Sequence, residues 1–105
     1  YKRQVYTEIS SFRIPGAKKE KGVQIDLLID RKDDSINLCE VKFHKSLFTI
    51  DKAYYNKLLE KRQRFLEFTR TKKQVFITMI TTHGITENAY SLDIVDAEVT
   101  LADLL

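Results

Sequence analysis

The chain has 105 residues, of which 43% are hydrophobic and 31% charged, with one proline and three glycines. This composition predicts a single compact domain over residues 1–105 and excludes a disordered tail. The formal net charge of +3 is compatible with a polyanionic partner but does not require one. No apolar run in the sequence is long enough to cross a bilayer. The single cysteine, Cys39, cannot form an internal disulfide, which fits a reducing, cytoplasmic location.

The first part of the chain predicts three strands. Residues 5–14 are rich in β-branched and aromatic side chains, which favours a strand, although Val5, Ile9 and Phe12 are also spaced as on a helix. A turn-like basic loop follows over residues 15–22. The segments "VQIDLLI" and "INLCEVKF" flank the turn formers "DRKDDS". They therefore predict an antiparallel hairpin.

Residues 51–69 predict one long helix, with Asp51 as its N-cap. Its apolar stripe consists of Tyr55, Leu58, Leu59, Phe65 and Leu66. The charged residues expected largely outside the stripe, on a solvated face, are Lys57, Glu60, Lys61, Arg64 and Glu67. The aromatic side chains expected to join the core, rather than to stack on bases, are Tyr54, Tyr55, Phe65 and Phe68.

The second part of the chain returns to strands. The continuous apolar run "KQVFITMITT" predicts a strand covered on both faces. The tail "DIVDAEVTLADLL" predicts a short edge strand and a closing helical turn. The predicted fold class is therefore α/β, with a small mixed central sheet in the order β-β-β-α-β plus a C-terminal tail. The long helix is expected to pack on one face of that sheet.

Charged residues occupy the centres of both hairpin strands. Because side chains alternate between the faces of a strand, Asp26 is expected to share a face with Gln24 and Leu28, opposite Val23, Ile25, Leu27 and Ile29. Glu40 and Lys42 share one face of the next strand, so the hairpin can bring Asp26, Glu40 and Lys42 together. A buried carboxylate persists only when it is paired, hydrogen-bonded or bound to a cation. Two acids and one lysine leave one negative charge, which a divalent cation would balance.

The same three residues suit the hydrolysis of a phosphodiester. Asp26 and Glu40 supply the hard oxygen ligands that Mg²⁺ or Mn²⁺ prefers. Lys42 can stabilise the charge that builds up on the attacking water or on the phosphate. The alternative is a cross-strand ion pair on a solvated sheet face, without catalytic function.

Polar residues near the hairpin are candidates for contact with nucleic acid. Lys18, Lys19 and Lys21 lie in the basic loop and can track a phosphate backbone. Gln24, which is expected to share a face of the strand with Asp26, is a candidate for holding substrate or water. The loop lysines are explained equally well as solvated charges.

A family resemblance rests on these residues. The segments "QID" and "EVK", separated by thirteen residues, resemble the motif of the PD-(D/E)XK nuclease superfamily. Asp26 matches its first acid, Glu40 and Lys42 match its (D/E)-x-K, and Ile25 replaces its proline. The segments "GVQIDLLIDRKDDSINLCEVKF", "FTIDKAY" and "FITMITTHG" are similar to the C-terminal nuclease-like domain of prokaryotic AAA+-type ATPases. The likeness covers residues 5–105.

The resemblance implies a restriction-endonuclease-like core and a cofactor, Mg²⁺ or Mn²⁺, held by Asp26 and Glu40. It implies nucleic acid, DNA above all, as the partner, and an ATPase module upstream in a longer chain. The absence of an initiator methionine before Tyr1 leads to the same expectation of a longer chain. The oligomeric state is left open, with a homo-oligomer among the alternatives.

One departure from the superfamily leaves two functions open. The first helix of the superfamily often supplies a further acid from a position before the first strand, which these residues do not contain. Glu8 would take that place only if the helical alternative for the first segment held. The sequence thus predicts a metal-dependent nuclease. The alternative is an inactive module of the same fold for DNA binding or protein docking.

Overall fold

The computed structural model describes residues 6–14, 16, 23–31 and 33–104, which form a mixed α/β fold with a five-stranded sheet. The strands are β1 (Tyr6–Ile14), β2 (Val23–Arg31), β3 (Ser35–Lys42), β4 (Gln74–Thr81) and β5 (Ala97–Thr100). The helices are α1 (Lys52–Thr69), α2 (Ala89–Ile94) and α3 (Leu101–Leu104). The strand order is β1-β2-β3-β4-β5. β1, β2 and β3 pair antiparallel, whereas β4 is parallel to both of its neighbours.

Most of the predicted elements are confirmed. The first segment is a strand from Tyr6, so its helical alternative is wrong, and β2 and β3 form the expected antiparallel hairpin. The consecutive residues Ile77, Thr78 and Met79 are all buried, as expected for a strand covered on both faces. The tail contains the expected short strand and closing helical turn. Of the basic loop, the structure describes Gly16 alone.

The short helix α2 was not predicted from the sequence. Its N-cap, Asn88, accepts a hydrogen bond from the backbone N–H of Ser91 at 2.8 Å. The Ser91 hydroxyl in turn accepts from the backbone N–H of Asn88 at 3.0 Å. This reciprocal pair satisfies two backbone donors at the start of the helix. Asn88 followed by Ser91 is therefore the sequence signal that predicts this helix.

Helix α1 follows β3, packs against the sheet and joins two apolar clusters. Asp51 caps it by accepting a hydrogen bond from the N–H of Tyr54 at 2.8 Å, as predicted. The first cluster consists of Ile14, Ile25, Leu28, Ile36, Leu38 and Phe65. The second cluster consists of Ile50, Leu58, Ile77, Met79 and Ile94. Within the described residues, no helix has the length and apolar content needed to span a membrane.

The end of α1 leads to a stability prediction. Arg70 caps the helix in the left-handed conformation, with φ 53°, and its N–H donates to the carbonyl of Leu66 at 2.9 Å. A residue with a Cβ is strained in this conformation, whereas glycine is not. We expect Arg70→Gly to stabilise the protein by about 0.5–1 kcal/mol and to raise its thermal midpoint. Arg70→Ala removes the same side chain but keeps the strain, so a rise in the midpoint of that variant would contradict this explanation.

A β-bulge interrupts β2 at the residues that concern function. The β1–β2 register pairs Ser10 with Leu28 but Phe12 with Ile25, so two residues of β2, Asp26 and Leu27, lie opposite one residue of β1. A bulge of this kind changes the direction of the side chains that follow it. Ile25 accordingly packs in the same cluster as Leu28. The expectation that Ile25 lies on the face of Leu27, opposite Leu28, is therefore wrong.

The connector between β3 and α1 is held against the segment that follows the C-terminal end of β4. Phe48 and Ile85 form an isolated parallel bridge. The N–H of Phe48 donates to the carbonyl of Gly84 at 2.9 Å. The N–H of Thr86 in turn donates to the carbonyl of Phe48 at 2.8 Å. Ile50 is fully buried two residues later. These contacts fix the start of α1 beside the end of β3, where Lys42 lies.

Candidate active site

The structure brings Asp26, Glu40 and Lys42 together on the side of the sheet that faces α1. The carboxylate of Asp26 accepts a hydrogen bond from the N–H of Val41, the residue between Glu40 and Lys42, at 3.0 Å. Glu40 is buried, and after burial and Lys61 the charges of Asp26 and Lys42 also affect the pKa of its carboxyl. The convergence expected from strand alternation is therefore present. The side chains of α1 that complete this cluster were not predicted.

Asp26 is held by the backbone of the neighbouring strand. The regular β2–β3 pairing extends from Asp30 with Ile36 to Leu27 with Cys39. Beyond it, the N–H of Val41 donates to Oδ2 of Asp26 at 3.0 Å, so the carboxylate replaces a main-chain carbonyl in the pairing. Asp26 is exposed. Its carboxylate is thus fixed in position while it remains accessible from solvent.

Glu40 is the buried acid of the cluster, and its direct partner comes from α1. The ammonium group of Lys61 lies 2.7 Å from Oε1 of Glu40, and the two side chains are only 20% and 4% exposed. Burial raises the pKa of the Glu40 carboxyl, and Lys61 opposes that effect. The expectation that Lys61 faces solvent is therefore wrong. The pair lies between the two apolar clusters, because Lys61 falls between Leu58 and Phe65 on the helix.

Tyr54 and Lys42 complete the cluster. The ammonium group of Lys42 lies 5.3 Å from the centre of the Tyr54 ring, within the range of a cation–π contact. Burial raises the pKa of the Tyr54 hydroxyl, and the negative charges of Glu40 and Asp26 raise it further. This tyrosine is therefore a neutral side chain whose ring contacts Lys42 and whose hydroxyl interacts with Glu40.

Lys61 changes the charge balance of the site, and the prediction of a bound cation depends in part on that balance. Asp26 and Glu40 carry two negative charges, and Lys42 and Lys61 carry two positive charges, so the formal charges of the cluster cancel. The surplus negative charge expected from the hairpin alone is therefore absent from this cluster. A cation at this site needs support from the individual carboxylate oxygens instead.

Those oxygens do fit a small divalent cation. Oε2 of Glu40 and the hydroxyl of Tyr54 are buried and have no close hydrogen-bond partner among the described residues. The Tyr54 hydroxyl nevertheless interacts with the Glu40 carboxyl, and this contact adds to the effect of burial in raising the pKa of Tyr54. A buried carboxylate oxygen without a partner is costly. Nowhere do the described residues cluster three or more His, Cys, Asp or Glu side chains suited to hold a metal ion. Mg²⁺, however, commonly takes only one or two protein carboxylates and keeps several waters.

The predicted contacts with nucleic acid are placed only in part. Lys18, Lys19 and Lys21 lie outside the described residues, and their role stays a prediction. Gln24 is exposed and accepts a hydrogen bond from the guanidinium of Arg13 at 2.9 Å. Its contact is thus with β1, and it lies on β2 before the bulge that contains Asp26.

The aromatic side chains of α1 divide into different roles. Phe65 is buried in the core as predicted, whereas Phe68 is 56% exposed, so its assignment to the core is wrong. Tyr55 is half-buried and donates a hydrogen bond from its hydroxyl to Oδ2 of Asp93 at 2.5 Å.

The spacing of apolar residues on α1 is a sequence signal that Lys61 lies on the buried face of the helix. Leu58 and Phe65 are buried and lie seven residues apart, and Lys61 is three residues after the first and four before the second. Residues with these spacings lie on the same face of a helix. A lysine at such a position needs a buried anion, and Glu40 on the adjacent strand is the one that it meets.

Comparison of the chain with protein-family models, with curated proteins and with solved structures returned no match in any of the three.

Proposed function

We propose that this domain is a metal-dependent nuclease-like module with a restriction-endonuclease-like core, which hydrolyses phosphodiester bonds in nucleic acid, DNA above all. The observation that supports it best is the cluster of Asp26, Glu40 and Lys42, in which the Glu40 carboxyl is buried and its Oε2 makes no close hydrogen bond to any described residue. The antiparallel β1-β2-β3 unit, followed by α1 and a parallel β4, agrees with the core that the resemblance implies. The proposed upstream ATPase module rests on the resemblance alone.

Each residue of the cluster has a role in this proposal. Asp26 and Glu40 would hold Mg²⁺ or Mn²⁺, which when bound favours ionisation of a water molecule and neutralises charge on the phosphate. The hydrogen bond from the N–H of Val41 keeps Asp26 in one orientation. Lys42 places its ammonium group where the charge of the phosphate develops, and the Tyr54 ring limits the positions that this ammonium group can take.

A second candidate is an inactive domain of the same fold that binds DNA. The ion pair between Lys61 and Glu40 favours it, because an internal ammonium group already balances the buried acid. In that case the four charged residues stabilise the domain, and the basic loop that carries Lys18, Lys19 and Lys21 would make the contacts with DNA. The two candidates differ in whether the domain cleaves DNA at all, and in whether Asp26 is needed for its activity.

Cleavage of supercoiled plasmid by the purified protein tests the proposal. We expect nicking that requires Mn²⁺ or Mg²⁺ and stops on addition of a chelator. Asp26→Asn keeps the shape of the side chain but removes its charge. It should slow nicking by about a hundredfold or more, since the cation supplies several kcal/mol to the reaction.

Glu60→Gln is the matched control, because Glu60 is an exposed acid on α1 next to Lys61. It should leave the rate of nicking unchanged. Plasmid that is bound by the protein but not cleaved under any metal condition would overturn the nuclease proposal and support the second candidate.

A further inference from the structure

We propose that Lys61 is an internal counter-ion that competes with the divalent cation for Glu40, and that it sets the affinity of the site for metal. This inference rests on the proposed function and identifies the residue that controls it. The ammonium group of Lys61 lies 2.7 Å from Oε1 of Glu40. A cation that binds the same carboxylate therefore has to approach, or displace, a fixed positive charge.

The surroundings of the pair make this competition strong. The side chain of Glu40 is 4% exposed, so solvent screens its interactions weakly. Lys61 occupies Oε1, whereas Oε2 has no close hydrogen-bond partner among the described residues. The carboxylate thus has one oxygen committed to the lysine and one without a close hydrogen bond, and a cation that binds the second oxygen would also meet the Tyr54 hydroxyl, which interacts with this carboxyl.

Lys61 has a position that allows it to leave the carboxylate. Its side chain is 20% exposed, more than that of Glu40. The helix that carries it buries Leu58 and Phe65, so its packing does not depend on the ammonium group of Lys61 alone. Long lysine side chains can keep their aliphatic part packed while the ammonium group moves towards solvent. Once released from Glu40, the ammonium group of Lys61 would join that of Lys42 on the side where a phosphate binds.

Metal binding without DNA tests this inference separately from cleavage. Free Mn²⁺ is measured by electron paramagnetic resonance as the protein is titrated. Lys61→Gln can still donate a hydrogen bond to Glu40 but carries no charge, and we expect it to bind Mn²⁺ about tenfold more tightly than the unsubstituted protein. Lys72→Gln removes an exposed lysine beyond the end of α1 and should leave the affinity unchanged.

A measurement on the unsubstituted protein does not depend on the folding of a variant. On addition of Mg²⁺, the side-chain ammonium signal of Lys61 in a nuclear magnetic resonance spectrum should change as its ion pair breaks. The signal of Lys72 serves as the internal reference and should stay in place.

The outcomes separate this inference from the proposed function. Tighter Mn²⁺ binding by Lys61→Gln, lost again when Glu40→Gln is added, supports it. Equal binding by both proteins, with an unchanged Lys61 signal, overturns the role of Lys61 but leaves the metal site in place. Absence of Mn²⁺ binding in both proteins overturns the inference together with the metal site of the proposed nuclease.

Discussion

Lys42→Ala should reduce metal-dependent nicking of plasmid by about 10²–10³-fold, the usual cost of removing a group that stabilises charge in a transition state. Lys42 is half-buried, and its ammonium group lies close enough to Glu40 to lower the pKa of that carboxyl. The loss should appear in the cleavage rate at saturating Mn²⁺, because in the proposed mechanism Lys42 acts on the phosphate and does not hold the metal. Lys42→Arg should not restore the rate, since a planar guanidinium does not replace a compact ammonium group.

Lys45→Ala is the matched control for this variant. Lys45 lies three residues further along the chain, in the exposed connector that leads to α1. Its loss should change the rate only slightly, through the weak attraction of any exposed lysine for DNA. Full activity of Lys42→Ala would contradict the role proposed for Lys42, and Lys61 would then be the next residue to test for it.

Phe65→Ala is expected to lower the free energy of unfolding by about 3–5 kcal/mol, the range measured when a large buried side chain is removed and leaves a cavity. Phe65 is 2% exposed and is the residue through which α1 enters the first apolar cluster. Domains of this size are commonly stable by only about 5–15 kcal/mol. The variant should therefore show a large decrease in the urea midpoint, measured by circular dichroism.

Phe68→Ala distinguishes loss of this contact from a general effect of removing an aromatic residue from the helix. Phe68 lies three residues after Phe65 on α1 and is 56% exposed. We expect its replacement to cost less than about 1 kcal/mol. Equal losses for the two variants would contradict the assignment of Phe65 as the contact that anchors the helix.

Local patterns explain why so much of the fold could be predicted. The strands β2 and β3 and the cap of α1 depend on neighbouring residues, so their signals are present in short segments of sequence. The meeting of Asp26 with Glu40 and Lys42 could also be predicted, because it requires only a hairpin and the alternation of side chains. Helix α2 has six residues and too few apolar positions to show a clear period, although Asn88 and Ser91 mark its start.

The features that could not be predicted depend on how elements meet. The partner of Lys61 is decided by the angle at which α1 crosses β3, which short-range patterns do not contain. The bulge at Asp26 and Leu27 depends on the number of residues that β1 places opposite them. Both features lie at the candidate site. There the chain departs from a regular apolar pattern, and its neighbours must compensate for the charges it carries.

The bulge makes the length of β2 as important as its composition. Ile25 and Leu28 both reach the same cluster only because an additional residue lies between them, and Asp26 meets the N–H of Val41 at that point. Deletion of one residue next to Asp26 would restore a strictly alternating strand. Such a strand could bury Ile25 or present Asp26 to Glu40, but not both. Related chains that keep this chemistry should therefore vary in the identity of these residues more readily than in their number.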